Sequence, residues 1–262
     1  MRWSGCALAL AMVGLVTAGC GSAAPRSGQH ASSAPPAGSS SKKPAALPVT
    51  LAPGASPLCA QGPVNPHLAV TLDGPGVTTP QLSSGTLQAI NYNNAQEGDG
   101  PFVPASIGGR LAIQVMPGHS NGKPNNWGEL YFTTNGAVPA ATHNVELCIE
   151  TYDASAGDVL AANFSGTNPK GAQGGAYDAA PQAYVTAGTD RWLTVSFQFD
   201  GINFASGDTG AGAENAQADF RVQVGPPLTG DVYFDRAWLI TTGVPSGQSL
   251  AATPGATNAT KL

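Results

Sequence analysis

The segment RWLTVSFQF, residues 191–199, begins with Arg-Trp and then alternates apolar and polar side chains from Leu193 to Phe199. Its apolar positions after the tryptophan are Leu193, Val195, Phe197 and Phe199. Successive side chains of a β-strand point to opposite faces, so this period predicts a strand with one face in a hydrophobic core. The pattern recurs in residues 111–115, 130–132, 145–149 and 220–224. We therefore expect an all-β protein, built as an antiparallel, jelly-roll-like β-sandwich of about nine strands.

Weaker forms of the same pattern complete the expected sandwich. They occur in residues 68–72, 86–90, 159–164 and 231–240. No segment has the apolar spacing of an amphipathic helix, and the 34 glycines and 22 prolines among 262 residues also disfavour long helices.

The N-terminus has the features of an export signal. An apolar run in residues 6–16 leads to small residues and then to Cys20, so we interpret residues 1–19 as a signal peptide. Residues 17–20, TAGC, resemble the lipobox of bacterial lipoproteins, which implies that Cys20 becomes a lipidated N-terminus. Ordinary cleavage near Ala18 is the alternative. We expect an exported protein, anchored by lipid at the outer face of the cytoplasmic membrane or in the cell envelope.

Composition divides the rest of the chain into three parts. Residues 20–55 are rich in Ser, Ala, Pro and Gly and poor in large apolar side chains, which predicts a disordered stalk. Residues 245–262 have the same character and are expected to form a disordered tail. The sandwich domain is therefore predicted to span residues 56–244.

The predicted domain is acidic. Residues 56–244 contain six basic and sixteen acidic residues, so their formal net charge is −10. Nucleic acid is excluded as an expected partner, because binding to phosphates requires a basic surface.

Two cysteines remain once Cys6 is removed with the signal peptide and Cys20 carries lipid. An exported protein meets oxidising conditions, so we expect a disulfide bond between Cys59 and Cys148, with two buried thiols as the alternative. Strand parity places Cys148 on the outward face with Glu146 and Glu150. The bond would therefore hold the N-terminal segment across the outside of the sandwich.

The sequence GHSNG, residues 118–122, matches the GxSxG pattern of a hydrolase nucleophile elbow. That elbow requires a following helix and then an acid and a histidine. Here Pro124 and Gly128 interrupt any helix, and no Asp lies between Ser120 and His143. We interpret GHSNG as a surface turn and predict no catalytic residues, so the protein is expected not to be an enzyme.

Two segments carry a family resemblance. Residues 191–199 are similar to the tryptophan-led strand of jelly-roll carbohydrate-binding modules and galactose-binding-like domains, and residues 220–239 resemble their closing pair of strands. The resemblance implies a sandwich fold and carbohydrate binding without catalysis. It also implies a possible structural calcium ion held by Asp235, with Asp73, Glu97 or Asp99 as candidates for a second ligand; no other cofactor is required.

A candidate binding surface follows from parity around residue 130. Trp127, Glu129 and Tyr131 point away from the core-facing Leu130, and two aromatic rings four residues apart stand about 13 Å apart on a strand. Such rings stack against sugars, while hydrogen bonds to hydroxyl groups are expected from Glu129, Gln114, Asn125 and Asn126. Coverage of this face by another segment, which would make both rings part of a core, is the alternative.

The predicted function is therefore non-catalytic binding of a polysaccharide or envelope glycan by a lipid-anchored surface protein. A structural or protein-interaction lipoprotein is the first alternative. A secreted glycan hydrolase or lyase is the second, because Glu146 and Glu150 share one face of a predicted strand and paired carboxylates hydrolyse glycosides.

Overall fold

The computed structural model describes residues 48–74, 77–78, 87–91, 97–98, 101–120, 122–168, 177–204, 218–228 and 230–242. The predicted signal peptide, Cys20, most of the predicted stalk and the C-terminal tail lie outside these residues. Within the described ranges, no helix is long and apolar enough to cross a membrane.

Sixteen strands and two short 3₁₀ helices make up the described structure. The strands are β1 (Val49–Leu51), β2 (Ala69–Thr71), β3 (Val77–Thr78), β4 (Gln88–Ile90), β5 (Glu97–Gly98), β6 (Phe102–Ile107), β7 (Arg110–Val115), β8 (His119–Ser120), β9 (Lys123–Pro124), β10 (Gly128–Thr133), β11 (Asn144–Tyr152), β12 (Ala156–Phe164), β13 (Asp178–Ala187), β14 (Trp192–Asp200), β15 (Phe220–Val224) and β16 (Val232–Thr242). The 3₁₀ helices are Pro57–Gln61 and Pro66–Leu68.

The strands form two large sheets and one small one. Sheet A has the order β1-β14-β11-β16-β7-β6, with β2 also paired to β16, and sheet B has the order β13-β12-β15-β10-β4-β3. The small sheet has the order β5-β8-β9. All pairs are antiparallel except β1 with β14 and β3 with β4. The prediction of an all-β antiparallel sandwich is confirmed.

One hydrophobic core fills the space between sheets A and B. It contains the alternating residues that the sequence places inside, such as Val195 and Phe197 from sheet A and Leu130 and Val222 from sheet B. The prediction is wrong for Leu111, which is 61% exposed.

The described structure has more strands than the roughly nine predicted from the sequence. The edge strands β6 and β13 were missed because each contains a proline and small residues, which weaken the β pattern. The start of the domain also differs from the prediction. Strand β1 pairs with β14 inside the segment predicted to be stalk, and Ala52 is buried in the core.

The segment between β1 and β2 crosses the outer face of sheet A. The backbone N–H of Ser56 donates to Ser196 Oγ at 2.8 Å, and Cys59 is bonded to Cys148 in the middle of β11. The predicted disulfide is therefore present. Both cysteines are buried in a small cluster with Trp238, so this part of the outer face is covered.

A register shift in β16 moves Trp238 out of the main core. Between Ile149 and Thr151 of β11, the partner residues change from Ala237 to Phe234, so β16 has one extra residue at this point. If the strand were regular, Trp238 would share the core-facing side of β16 with Phe234. The extra residue of the bulge reverses the side, so Trp238 packs against the disulfide on the outer face. Trp192 is fully buried and packs edge-to-face against Tyr152.

Candidate functional site

The outward face of sheet B carries polar residues from three adjacent strands. In β12, β15 and β10, alternate residues belong to the core, and the residues between them point outward. Cross-strand pairing sets these residues in two rows. One row is Ala183, Ala161, Gln223 and Glu129; the other is Asn163, Arg221, Tyr131 and Ile90. The polar members of both rows are adjacent, so they form one surface.

Five of these residues form a hydrogen-bonded network, which we call the polar cluster: Glu129, Tyr131, Asn163, Arg221 and Gln223. Arg221 Nη1 donates to Glu129 Oε2 at 2.9 Å, and Arg221 Nε donates to Asn163 Oδ1 at 3.2 Å. Gln223 Nε2 donates to Glu129 Oε1 at 3.2 Å, and the Tyr131 hydroxyl donates to Glu129 Oε2. Both carboxylate oxygens of Glu129 are thereby engaged.

The polar cluster has a buried part and a half-buried part. Glu129 and Tyr131 are buried, and burial followed by the nearby Glu129 carboxylate raises the pKa of Tyr131, so Tyr131 stays protonated. Asn163, Gln223 and Arg221 are half-buried, and Arg221 is stacked on the ring of Tyr177 with its Cζ 4.2 Å from the ring centroid. The ion pair and the stacking interaction fix the guanidinium plane at the surface.

An apolar surface lies directly beside the polar cluster. It consists of exposed residues of β13 and half-buried residues of β12, which we call the apolar strip: Ala179, Pro181, Ala183, Val185, Val159 and Ala161. Val185 is 58% exposed. Because strands are spaced about 4.8 Å apart, the strip and the cluster together span about 14 Å from β13 to β10.

A recess of about 240 Å³ lies near the first residues of β13 and the end of β14, and it shares Ala179 and Pro181 with the apolar strip. Its lining residues are Phe164, Asn168, Asp178, Ala179, Pro181, Gln198 and Asp200. Gln198 Nε2 donates to Asp200 Oδ1 at 3.0 Å, which orients both side chains.

The predicted platform of two exposed aromatic rings is not present. The Tyr131 ring is 1% exposed and packs against Ile90 and Ala218, so only Trp127 of the pair remains accessible. Glu129 faces away from the core as predicted, but it is 2% exposed and serves Arg221 rather than solvent. The alternation of side chains predicts correctly that Glu129 and Tyr131 face away from the core. It does not predict that both side chains are buried on that face.

The other predicted ligand-binding residues are distributed over two places. Trp127 and Asn125 are half-buried and Asn126 is exposed, and hydrogen bonds at 2.8 and 2.7 Å join this loop to Gly118. Gln114 lies on β7 of sheet A, where its Nε2 donates to Asp231 Oδ1 at 2.7 Å. Gln114 is therefore not part of the surface formed by Glu129 and Tyr131, because the two lie on different sheets.

The surroundings of Asp235 do not fit a calcium ion. Arg110 Nη1 donates to Asp235 Oδ2 at 2.8 Å, so a guanidinium is the charge partner of this carboxylate. Within the described residues, no group of three or more His, Cys, Asp or Glu side chains is arranged to hold a metal. Asp73 is exposed, and Asp99 and the Glu97 side chain lie outside the described part. Calcium binding through those acids stays a prediction.

The two glutamates of the hydrolase alternative are buried rather than solvated. Glu150 accepts hydrogen bonds from Arg110 at 2.8 Å and from Arg236. The two guanidinium groups thus occupy both carboxylate oxygens of Glu150. Burial raises the pKa of Glu146, which is 7% exposed.

The GHSNG segment forms part of the small sheet. Its first residues enter β8, which pairs with β9, and β9 follows at the position where an elbow would require a helix. The segment therefore lacks the strand-turn-helix context of a nucleophile elbow.

Asn163, Tyr177, Arg221 and Gln223 were missed as site residues by sequence analysis. A usable signal was present for two of them, because Phe220, Val222 and Val224 were predicted to face the core. The same parity places Arg221 and Gln223 outward. Tyr177 carries no comparable signal, since it precedes a strand that the pattern did not reveal.

Comparisons with known proteins return carbohydrate-binding structures. No protein-family model matches the chain, and no curated protein matches it. Three solved structures, each 10% identical, are similar to it. A Bacteroides thetaiotaomicron protein described as sugar-binding covers 66% of this chain and 95% of its own, with a TM-score of 0.35.

The other two structures are family 6 carbohydrate-binding modules. The C-terminal module of a Zobellia galactanivorans laminarinase covers 60% of this chain and 100% of its own, with a TM-score of 0.32. A module of Cellvibrio mixtus lichenase 5A, in complex with cellotriose, covers 59% and 96%, with a TM-score of 0.30. These modules are of the class that the sequence resembles. At such identities and TM-scores they assign no ligand to this chain.

Proposed function

We propose that this protein binds a glycan, without catalysis, on the outward face of sheet B, and that lipid on Cys20 anchors it in the cell envelope. The observation that supports glycan binding is the adjacency of the polar cluster and the apolar strip on the same face of sheet B. A sugar ring has an apolar C–H face and a rim of hydroxyl groups. The apolar strip offers van der Waals contacts to the C–H face, and the polar cluster offers hydrogen bonds to the hydroxyl groups.

The polar cluster supplies both kinds of hydrogen-bonding group. Arg221 is a donor, and the amides of Gln223 and Asn163 supply both donors and acceptors. These groups hold one another in place, so little side-chain entropy is lost when a ligand binds.

Glycan binding is tested with the purified full-length protein on an array of oligosaccharides. We expect Gln223→Ala and Tyr177→Ala to weaken binding at least about tenfold, because the first removes a hydrogen-bonding amide and the second frees Arg221 to move. Gln114→Ala is the matched control for Gln223→Ala, because Gln114 lies on sheet A and donates to Asp231. Loss of binding in Trp127→Ala alone would transfer the site to the Trp127 loop. Absence of binding to every glycan would favour the protein-interaction alternative.

Lipid anchoring is tested separately. We expect the wild-type protein to incorporate labelled palmitate and to fractionate with membranes. Cys20→Ser is expected to do neither. Equal membrane association of both proteins would contradict the anchor.

A further inference from the structure

The charge of Arg221 is already neutralised inside the polar cluster. Its Nη1 lies 2.9 Å from Glu129 Oε2, and the Glu129 side chain is only 3% exposed while that of Arg221 is 18% exposed. Gln223 and Tyr131 donate to the two carboxylate oxygens and hold the carboxylate in this position. The negative partner is therefore fixed beneath the surface, and the positive partner is presented to a ligand.

No other basic residue on the strands of sheet B compensates for Glu129. Among the residues of these strands, Arg221 is the single base, whereas Glu129, Asp158 and Asp178 are acidic. Asp219 lines a cavity of about 10 Å³ together with Arg221 and Tyr177, but its carboxylate accepts hydrogen bonds from Thr134 N–H and the Thr134 hydroxyl at 2.6 and 2.7 Å. Counted over the described strands, this surface therefore carries no net positive charge, although Arg221 is more exposed than the Glu129 paired with it.

An acidic sugar would meet two penalties at this surface. A uronate or a phosphorylated sugar can attract Arg221 only in competition with Glu129, and moving Arg221 away would break the ion pair of a buried carboxylate. The acidic domain also repels anions at longer range. A neutral sugar meets neither penalty, because it accepts hydrogen bonds from Arg221 and Gln223 without displacing the ion pair.

We infer that the glycan bound by sheet B is neutral, and that Glu129 is the residue that determines this specificity by neutralising Arg221. The inference rests on the proposed function of the same surface. Glu129 acts through Arg221 and does not contact the ligand, so it is a positioning residue.

The test compares neutral glucose oligosaccharides with uronic acid oligosaccharides of the same length, at low and at high salt. The wild-type protein is expected to bind the neutral series at least about tenfold more tightly. The reason is that a uronate carboxylate brought close to the Glu129 carboxylate is repelled, and this repulsion costs more free energy than a tenfold change in affinity. Its affinity for the neutral series is expected to be independent of salt.

Glu129→Gln preserves the shape of the side chain and unmasks the arginine charge. We expect this variant to gain about tenfold in affinity for the acidic series, with a gain that disappears at high salt. Glu146→Gln is the matched control, because it neutralises a buried glutamate on sheet A and should leave the preference unchanged. Thermal melting verifies that both variants are folded.

Three outcomes separate the inference from the proposed function. A wild-type preference for acidic sugars overturns the inference and leaves glycan binding intact. A folded Glu129→Gln variant with the wild-type preference removes Glu129 as the determinant. Binding of neither series, when the rest of the array is also negative, overturns the proposed function and the inference together. If Glu129→Gln does not fold, the wild-type preference still decides between neutral and acidic ligands.

Discussion

Arg221 Nη1 lies 2.9 Å from the Oε2 atom of Glu129, and the two residues sit on neighbouring strands in the middle of sheet B. They are not directly opposite each other, because Glu129 pairs with Gln223 and Arg221 pairs with Tyr131. The ion pair therefore runs diagonally across two rows. It connects the buried part of the polar cluster to its accessible part.

Removing the arginine from this pair is expected to destabilise the protein. In Arg221→Met, the buried Glu129 carboxylate loses its ion pair with Arg221, and we expect the free energy of unfolding to fall by about 3–5 kcal/mol. Combining it with Glu129→Met should recover most of this loss. Urea denaturation measures both effects, and Arg191→Met, at an exposed position, is the control with an expected change within about 0.5 kcal/mol. A double variant as unstable as the single one would contradict the pairing.

Asp219 is expected to make stability depend on pH between about 4 and 6. Burial raises its pKa to about 6, against hydrogen bonds from the Thr134 N–H and the hydroxyls of Thr134 and Thr133. The folded state therefore binds a proton more tightly than the unfolded state. The stabilisation is complete below the unfolded pKa, near 3.8, and is lost as the pH rises through about 6.

The size of this effect is about 3 kcal/mol, from two pKa units at about 1.4 kcal/mol each. Denaturant unfolding at a series of pH values measures it. Asp219→Asn removes the titrating group and should flatten the profile in this window. If the slope persists in Asp219→Asn, another group is responsible.

Reduction of the disulfide is expected to lower the free energy of unfolding by about 4 kcal/mol, because the bond closes a loop over a sequence separation of 89 residues. Thermal melting with and without a thiol reductant measures the change. Cys59→Ser combined with Cys148→Ser should match the reduced protein and be insensitive to reductant. No change in melting temperature on verified reduction would show that the N-terminal segment is held by other contacts.

Gly108 is a position where an added methyl group has no space. Its φ is +56°, and a Cβ atom would lie 2.5 Å from Trp192 Nε1 and 2.6 Å from Tyr152 Cε2. We expect Gly108→Ala to cost about 2–4 kcal/mol, from backbone strain plus overpacking. Gly136→Ala is the control, because its φ is +76° but nothing lies within 4 Å of the added Cβ. Equal losses in both variants, measured by denaturant unfolding, would leave strain as the sole cause.

The sandwich could be predicted from sequence because its central strands have a regular period of two. Strands β10, β11, β14 and β15 follow that period, and their apolar residues form the core. The period fails where the backbone departs from regular pairing, as at the bulge in β16 that redirects Trp238. It also fails at β13, whose exposed positions are small and apolar rather than polar.

The candidate site was predicted only in part, for a related reason. Parity shows which residues leave the core, and it placed Glu129 and Tyr131 on the outward face. Parity does not show which strands are neighbours, so β15 beside β10 was not expected. The salt bridge between Glu129 and Arg221 depends on that adjacency, since 92 residues separate the two in the chain.

The position of the disulfide determines where a mechanical load on the N-terminus enters the domain. Strand β1 lies at the edge of sheet A, and only three residues pair it with β14. A force on the N-terminus would therefore separate β1 from β14 first. The force would then act on Cys59, and the disulfide bond would transmit it to Cys148 in β11. Strand β11 lies between β14 and β16 in sheet A. A protein tethered at its N-terminus and attached through sheet B to an immobile glycan would carry tension through the interior of the sandwich. Among the edge strands, this load would reach only β1 and β13, the second of which carries part of the proposed binding surface.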